Sequence, residues 1–142
     1  MKYGLLLVIA AAIVFGGAGG ALVCLAAIPD QSVDALRAAA THVMHGRVLR
    51  IYSAVEQTSA EWETTFHLVE LAVARQEKGT PVGRLAYVRF QTRRYTGPDV
   101  APPGHYGLHN IPRAGADVTA YVTLAEDGGF DVVEPNGLIA AK

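Results

Sequence analysis

Cysteine is all but missing from this sequence: the single one, Cys24, lies in an apolar stretch near the amino terminus. That removes a disulfide framework and thiolate metal sites from the rest of the chain, which must fold on an ordinary hydrophobic core. Serine is scarce as well. Ser32, Ser53 and Ser59 are the three present, none within a G-x-S-x-G elbow, and with the cysteine so placed this sets serine and cysteine nucleophile enzymes aside. Charge of one sign is also lacking, since the net charge is −1, so there is no general attraction to nucleic acid or to an anionic membrane. Neither internal repeats nor low-complexity tracts occur in the domain.

What is present first is GLLLVIAAAIVFGGAGGALVCLAAI, Gly4 to Ile28, 25 residues without a charge. At about 1.5 Å per residue a helix of this length crosses a bilayer core of about 30 Å. A retained signal-anchor fits. So does a cleaved secretory signal, with Leu5 to Phe15 as its apolar region behind Lys2 and small residues at Gly19–Ala21 or Leu25–Ala27, although Leu25 itself is large. The context ALVC also resembles a lipobox, with Val23 branched where Gly or Ala is usual. Lys2 and the amino group favour a cytoplasmic amino terminus, which puts the domain on the extracytoplasmic, periplasmic side. Beyond this segment the charges are 11 Lys+Arg against 13 Asp+Glu, a net of −2.

Three divisions follow: residues 1–28 as transmembrane anchor or signal, 29–41 as a short amphipathic helix or linker, and 42–142 as the folded domain. In the second, Val33, Leu36 and Ala40 recur at helical spacing, with Asp30 or Ser32 as N-cap. From Val43 the period becomes two, and five strands are predicted: Val43–Ala54 with Gly46 as a bulge or close-approach point, Thr64–Ala74, Arg84–Tyr95, Ala116–Leu124 and Phe130–Glu134. In the second, apolar residues on both faces mark a central strand. In the third, Ala86, Val88 and Phe90 face inward and Tyr87, Arg89, Gln91, Arg93 and Tyr95 outward; in the fourth, Val118, Ala120, Val122 and Leu124 face inward and Tyr121 outward. EDGG supplies a hairpin turn between the last two strands, and PNG a further one. Five strands closing with a hairpin predict a mainly β domain, a small five-stranded OB-like Greek-key barrel behind the amino-terminal transmembrane helix.

GRV in the first strand, Lys78-Gly79 before the third and the closing FDVVEPNG together resemble exported bacterial OB-fold and netrin-like domains, over roughly residues 42 to 138. The resemblance implies the fold alone. The haem chaperone of cytochrome c maturation is a single-anchor extracytoplasmic OB protein too, but its attachment motif resembles H-x-x-x-Y, and no histidine here has a tyrosine four residues on.

The candidate sites are few. Glu61/Glu63 and Glu126/Asp127 pair carboxylates, but in polar turns with nothing to raise a pKa. His42 and His45 form H-x-x-H; His105 and His109 form H-x-x-x-H in a 19-residue stretch, Thr96 to Ala114, between the third and fourth strands. Imidazoles are metal ligands where three or four converge, and Gly104, Gly107 and Pro112 preclude the helix that would align the second pair. Loops above about 12–15 residues are commonly functional, and this one carries Tyr106, Leu108 and Ile111 as anchors beside Tyr95. The partner-binding residues expected are therefore Tyr87, Arg89, Arg93 and Tyr95 on the third strand with Tyr106, Leu108 and Ile111 in a loop ordered against a neighbour. The function expected is a non-enzymatic membrane-anchored accessory subunit that docks on a larger membrane or envelope protein complex through protein–protein interaction. No nucleic acid, small-molecule substrate or cofactor is called for, and a periplasmic metal- or cofactor-handling protein using the loop histidines is the alternative.

Overall fold

The computed structural model of the chain describes residues 28–104 and 106–141. The predicted anchor, apart from Ile28, lies outside the described residues, as does His105. Among the described residues no helix is long and apolar enough to cross a membrane. Helix α1 (Val33–Ala39) begins where predicted: the Ser32 hydroxyl accepts the Ala35 N–H at 3.2 Å as N-cap.

Six strands follow: β1 (His42–Ser59), β2 (Trp62–Lys78), β3 (Leu85–Tyr95), β4 (Asp117–Leu124), β5 (Phe130–Val132) and β6 (Leu138–Ala140). Together they form a mixed sheet in the order β1-β2-β3-β5-β4-β6, and an additional β1–β4 pairing closes a ring through five strands. The β3–β5 contact is parallel and the other pairings are antiparallel. β2 is central, as its two apolar faces predict, with β1 on one side and β3 on the other.

The ring closes through β1, which pairs on both edges from Val43 to Arg47, with β2 and with β4. Within this segment the register with β2 shifts between Val43 and Met44 and again between His45 and Gly46, irregularities of the kind that bend a strand. A Cβ at Gly46 would stand 2.3 Å from the Ala72 carbonyl oxygen, so only glycine lets the two backbones meet there.

Inside the ring, Met44, Val48, Val69, Leu71, Val88, Val118 and Val122 make the main core with Phe90, Val132 and Leu138. Outside it lies a smaller cluster: Leu36 and Ala40 from α1, Val43, Tyr121 and Val133. Tyr121, predicted outward, is buried in that cluster. Its face of β4 does point away from the main core, but α1 covers it and leaves the ring 4% exposed. Leu124, predicted inward, ends the strand and is exposed. β6 was not predicted. After β5 the chain turns through a cis Glu134–Pro135 bond and returns to pair with the free side of β4, from Val118 to Ala120. The β1–β2 hairpin is also longer than predicted, its strands running to Ser59 and from Trp62 around a two-residue turn.

Part of the long loop is tied to its own chain, along the edge of β3. Past Arg89, β3 leaves β5, and the loop takes over that edge. Arg93 N–H donates to the Tyr106 carbonyl at 2.8 Å and Leu108 N–H to that of Gln91 at 3.3 Å, about a bridge between Thr92 and Gly107. Leu108, predicted as a contact residue, is 5% exposed within the main core. Gly107 allows this approach: its φ is +96° and a Cβ there would lie 1.9 Å from the Gln91 carbonyl oxygen. Gly107→Ala is therefore expected to cost more than about 1 kcal/mol. Chemical denaturation followed by Trp62 fluorescence measures it; an unchanged midpoint would show that the loop does not depend on this contact.

Candidate functional site

Directly opposed residues of neighbouring strands share a face. On the side of the sheet away from the core, β1, β2 and β3 stack in rows: Arg50, Glu70 and Tyr87; Tyr52, Leu68 and Arg89; Ala54, Phe66 and Gln91; Glu56, Thr64 and Arg93; then Trp62 and Tyr95. Four of the predicted contact residues, Tyr87, Arg89, Arg93 and Tyr95, thus do share one face. Tyr106 joins them from the loop by stacking on Trp62, ring centroids 5.3 Å apart, while Tyr95 meets the same indole edge-on at 5.2 Å. Leu108 belongs to the core instead, and Ile111 is exposed farther along the loop.

Two arginines of this face, Arg89 and Arg93, are engaged. Arg89 forms a fork with Asp127 and places its Nε 2.8 Å from Asp131, and these carboxylates hold its guanidinium pKa above the ordinary arginine value. Asp127, predicted as a solvated turn residue, is in turn held below the usual carboxylate range by Arg89. The Arg93 guanidinium sits 4.5 Å above the Trp62 ring, a cation–π contact. Glu63, likewise placed in a turn by the sequence, is a β2 residue that receives Arg94 at 2.9 Å. Exposed apolar surface remains among them, chiefly Tyr52, Phe66 and Tyr87.

A groove of about 880 Å³ runs along the middle of β1, β2 and β3 and reaches the end of β5. Its lining includes the row Ser53, His67 and Phe90, which has the parity of the core row Ile51, Val69 and Val88. Ser53 Oγ lies 2.8 Å from His67 Nδ1, and His67 Nε2 lies 3.1 Å from Thr92 Oγ1. The imidazole stacks on Phe90 at 4.5 Å with 17° between the rings. Burial pushes its pKa below the ordinary 6.5, so the ring is neutral at pH 7, one nitrogen donating and the other accepting. A neutral imidazole beside a hydroxyl can take up a proton, but a threonine hydroxyl stands where serine hydrolases place a carboxylate on the second nitrogen. Sequence reasoning missed this row, because it joins three strands. Counting outward from the turn at Ala60 and Glu61 sets Ser53 opposite Leu68; the register shift between Gln57 and Ser59 moves the pairing by one residue and brings Ser53 opposite His67, which no count along the sequence supplies.

The remaining histidines are dispersed. His42 is buried, with Nδ1 2.9 Å from Thr41 Oγ1, Nε2 3.0 Å from Thr80 Oγ1 and its ring edge-on to Phe130. His45 sits between Glu77 Oε2 at 2.9 Å and Thr119 Oγ1 at 3.0 Å. His109 Nδ1 approaches Asp30 Oδ1 at 2.7 Å. Among the described residues no three His, Cys, Asp or Glu gather where they would hold a metal ion.

Compared with protein-family models, curated proteins and solved structures, the chain finds no match.

His67 makes stability depend on pH with a definite sign. Its folded pKa is lowered from 6.5, so the unfolded chain protonates first on acidification. The stability it contributes is complete above about pH 6.5 and is lost as pH falls through the window just below. Glu77, Asp117 and Asp127, all held down by arginine or histidine partners, act at still lower pH. His67→Gln is expected to flatten the stability–pH curve just below pH 6.5, as read by urea denaturation; an unaltered slope there would contradict a half-buried imidazole kept neutral by desolvation.

Proposed function

We propose that the protein is a non-enzymatic binding subunit: residues 4–28 anchor it in a membrane, and an OB-like Greek-key barrel on the extracytoplasmic side docks on a larger membrane or envelope protein complex. The barrel reading is supported by the five-strand circuit β1-β2-β3-β5-β4-β1 with its one parallel pairing. In OB folds the face of the second and third strands is where ligands bind.

One observation carries the docking reading. Tyr52, Phe66 and Tyr87, from three different strands, are 47%, 41% and 47% exposed on a single outer face. Aromatic side chains at such exposure, interleaved with arginine, are the composition of protein–protein hot spots. Because Arg89 is neutralised by two carboxylates and Arg93 is held on Trp62, the face favours a protein partner over a polyanion. The rival metal-handling reading, built on His105 and His109, finds less support: His109 Nδ1 lies 2.7 Å from Asp30 Oδ1, and both ring nitrogens of His42 and of His45, its further candidates, have hydrogen-bond partners.

Capture from native membranes with the tagged full chain tests this. A defined partner is expected with the wild type and is expected to be lost with Phe66→Ser/Tyr87→Ser, whose side chains lie outside both cores and leave the fold intact. Equal capture by both proteins, or an ester-hydrolysing activity abolished by Ser53→Ala, would overturn the reading.

A further inference from the structure

The way the sheet's backbone edges are covered leaves one conspicuous exception. β3 has the loop on its edge past Arg89, and β4 has β1, β5 and β6 as neighbours. β1 is different. It pairs with β4 only as far as Arg47, and Val48 exchanges hydrogen bonds with the backbone of Gly115 and Ala116. From Leu49 to Ser59 its only strand partner among the described residues is β2, so one edge, roughly 35 Å long at about 3.3 Å per residue, has no backbone partner.

Natural sheets guard such edges with proline, lysine, repeated bulges or extreme shortness. Here the register shifts near Leu49 and again near Ser59, and between them runs RIYSAVEQT, without proline, glycine or lysine. Such an edge is built to be paired.

We propose that this edge pairs with the same edge of a second copy of the chain, antiparallel about a two-fold axis through Ser53. The side chains select the occupant and the register. An axis on Ser53 sets Arg50 opposite Glu56 of the partner subunit, Ile51 opposite Val55, and Tyr52 opposite Ala54, and symmetry makes every pair twice. The two charges on this stretch then neutralise each other across the interface. Within one chain neither Arg50 nor Glu56 has an ion pair among the described residues. An axis on Ala54 sets Arg50 against Thr58, and one on Tyr52 sets it against Ala54; neither matches the charges. An axis between two residues sets outward-facing side chains against core-facing ones, which a continuous sheet does not allow. The pairing extends the β1–β2–β3 sheet into one sheet through both subunits. It is independent of the docking proposed for the outer face, because it uses backbone edge and not that face.

The test uses the full chain in detergent, with its association measured by sedimentation. The wild type is expected to be a dimer. Glu56→Arg opposes two arginines across each half of the interface and is expected to weaken the dimer about tenfold. Arg50→Glu is expected to do the same with two glutamates, and the double reversal Arg50→Glu/Glu56→Arg is expected to restore it. In the monomer residue 56 faces Thr64, so Glu56→Arg opposes no like charge on β2, and an unchanged thermal midpoint verifies its fold; residue 50 faces Glu70, so Arg50→Glu adds a like-charge pair inside each chain, and the double reversal is compared with Arg50→Glu alone, which carries the same pair. Association through residues 4–28 would ignore both reversals. A second arm places a cysteine on the axis: in a Cys24→Ala background, Ser53→Cys is expected to cross-link the dimer on mild oxidation. There the two Cα atoms would lie about 4.5–5.5 Å apart, within disulfide reach. Ala54→Cys, displaced from its own copy, is expected not to cross-link. A monomeric wild type, a dimer indifferent to both reversals, or equal cross-linking at 53 and 54 would overturn the proposal.

Discussion

The structure depends on one shared segment of backbone. From Val43 to Arg47, β1 pairs with β2 on one edge and with β4 on the other, and without that double pairing the sheet would be an open strip. Closure removes two edges and encloses an apolar interior that no disulfide has to staple. The absent side chain of Gly46 makes it sterically possible, because the bent strand passes within contact distance of Ala72 there. Beyond Arg47 the constraint ends, and the same strand runs on as one arm of a long hairpin. The molecule thus has a closed end, holding nearly all of its core, and a three-stranded extension with two accessible faces and one bare edge.

Polar side chains do different work at the two ends. At the closed end, His42 is fixed between the hydroxyls of Thr41 and Thr80, and Arg47 forks onto Asp117, its neighbour across the β1–β4 pairing. The Arg47–Asp117 pair stands open to solvent, where screening leaves it a small share of the stability. In the extension, Ser53, His67 and Thr92 form a chain of hydrogen bonds across three strands at the row where the main core thins out. The row is both a structural tie and the most chemically distinctive feature of the groove, since a neutral imidazole with two hydroxyl partners can accept them in either tautomer.

How much of this was legible in the sequence follows from how local each signal is. Strict alternation in β3 placed Ala86, Val88 and Phe90 inside and Tyr87, Arg89 and Arg93 outside, and an isolated glycine in a strand pattern marked the bend at Gly46. The turn between β4 and β5 was equally readable from EDGG. Features that failed to show were set by distant chain. Tyr121 is buried by a helix some eighty residues earlier, Leu108 enters a core built by strands on either side of its loop, and the three-residue β6 is too short for any periodicity. The candidate face was half legible for the same reason: its β3 residues follow from alternation, whereas Trp62, Phe66 and Tyr52 join it only once hairpin register is known.

The central claim is that β1 is held on both edges as far as Arg47 and on one edge after it. Residue-resolved amide hydrogen exchange on the full chain, at a dilution where copies are apart, measures this directly. The account predicts slow exchange at successive amides from Val43 to Arg47 and an alternation of slow and fast amides from Ile51 to Gln57, as in a strand with one partner. Uniformly slow exchange from His42 through Ser59 in the dilute chain would contradict it, for it would mean that the edge is already covered.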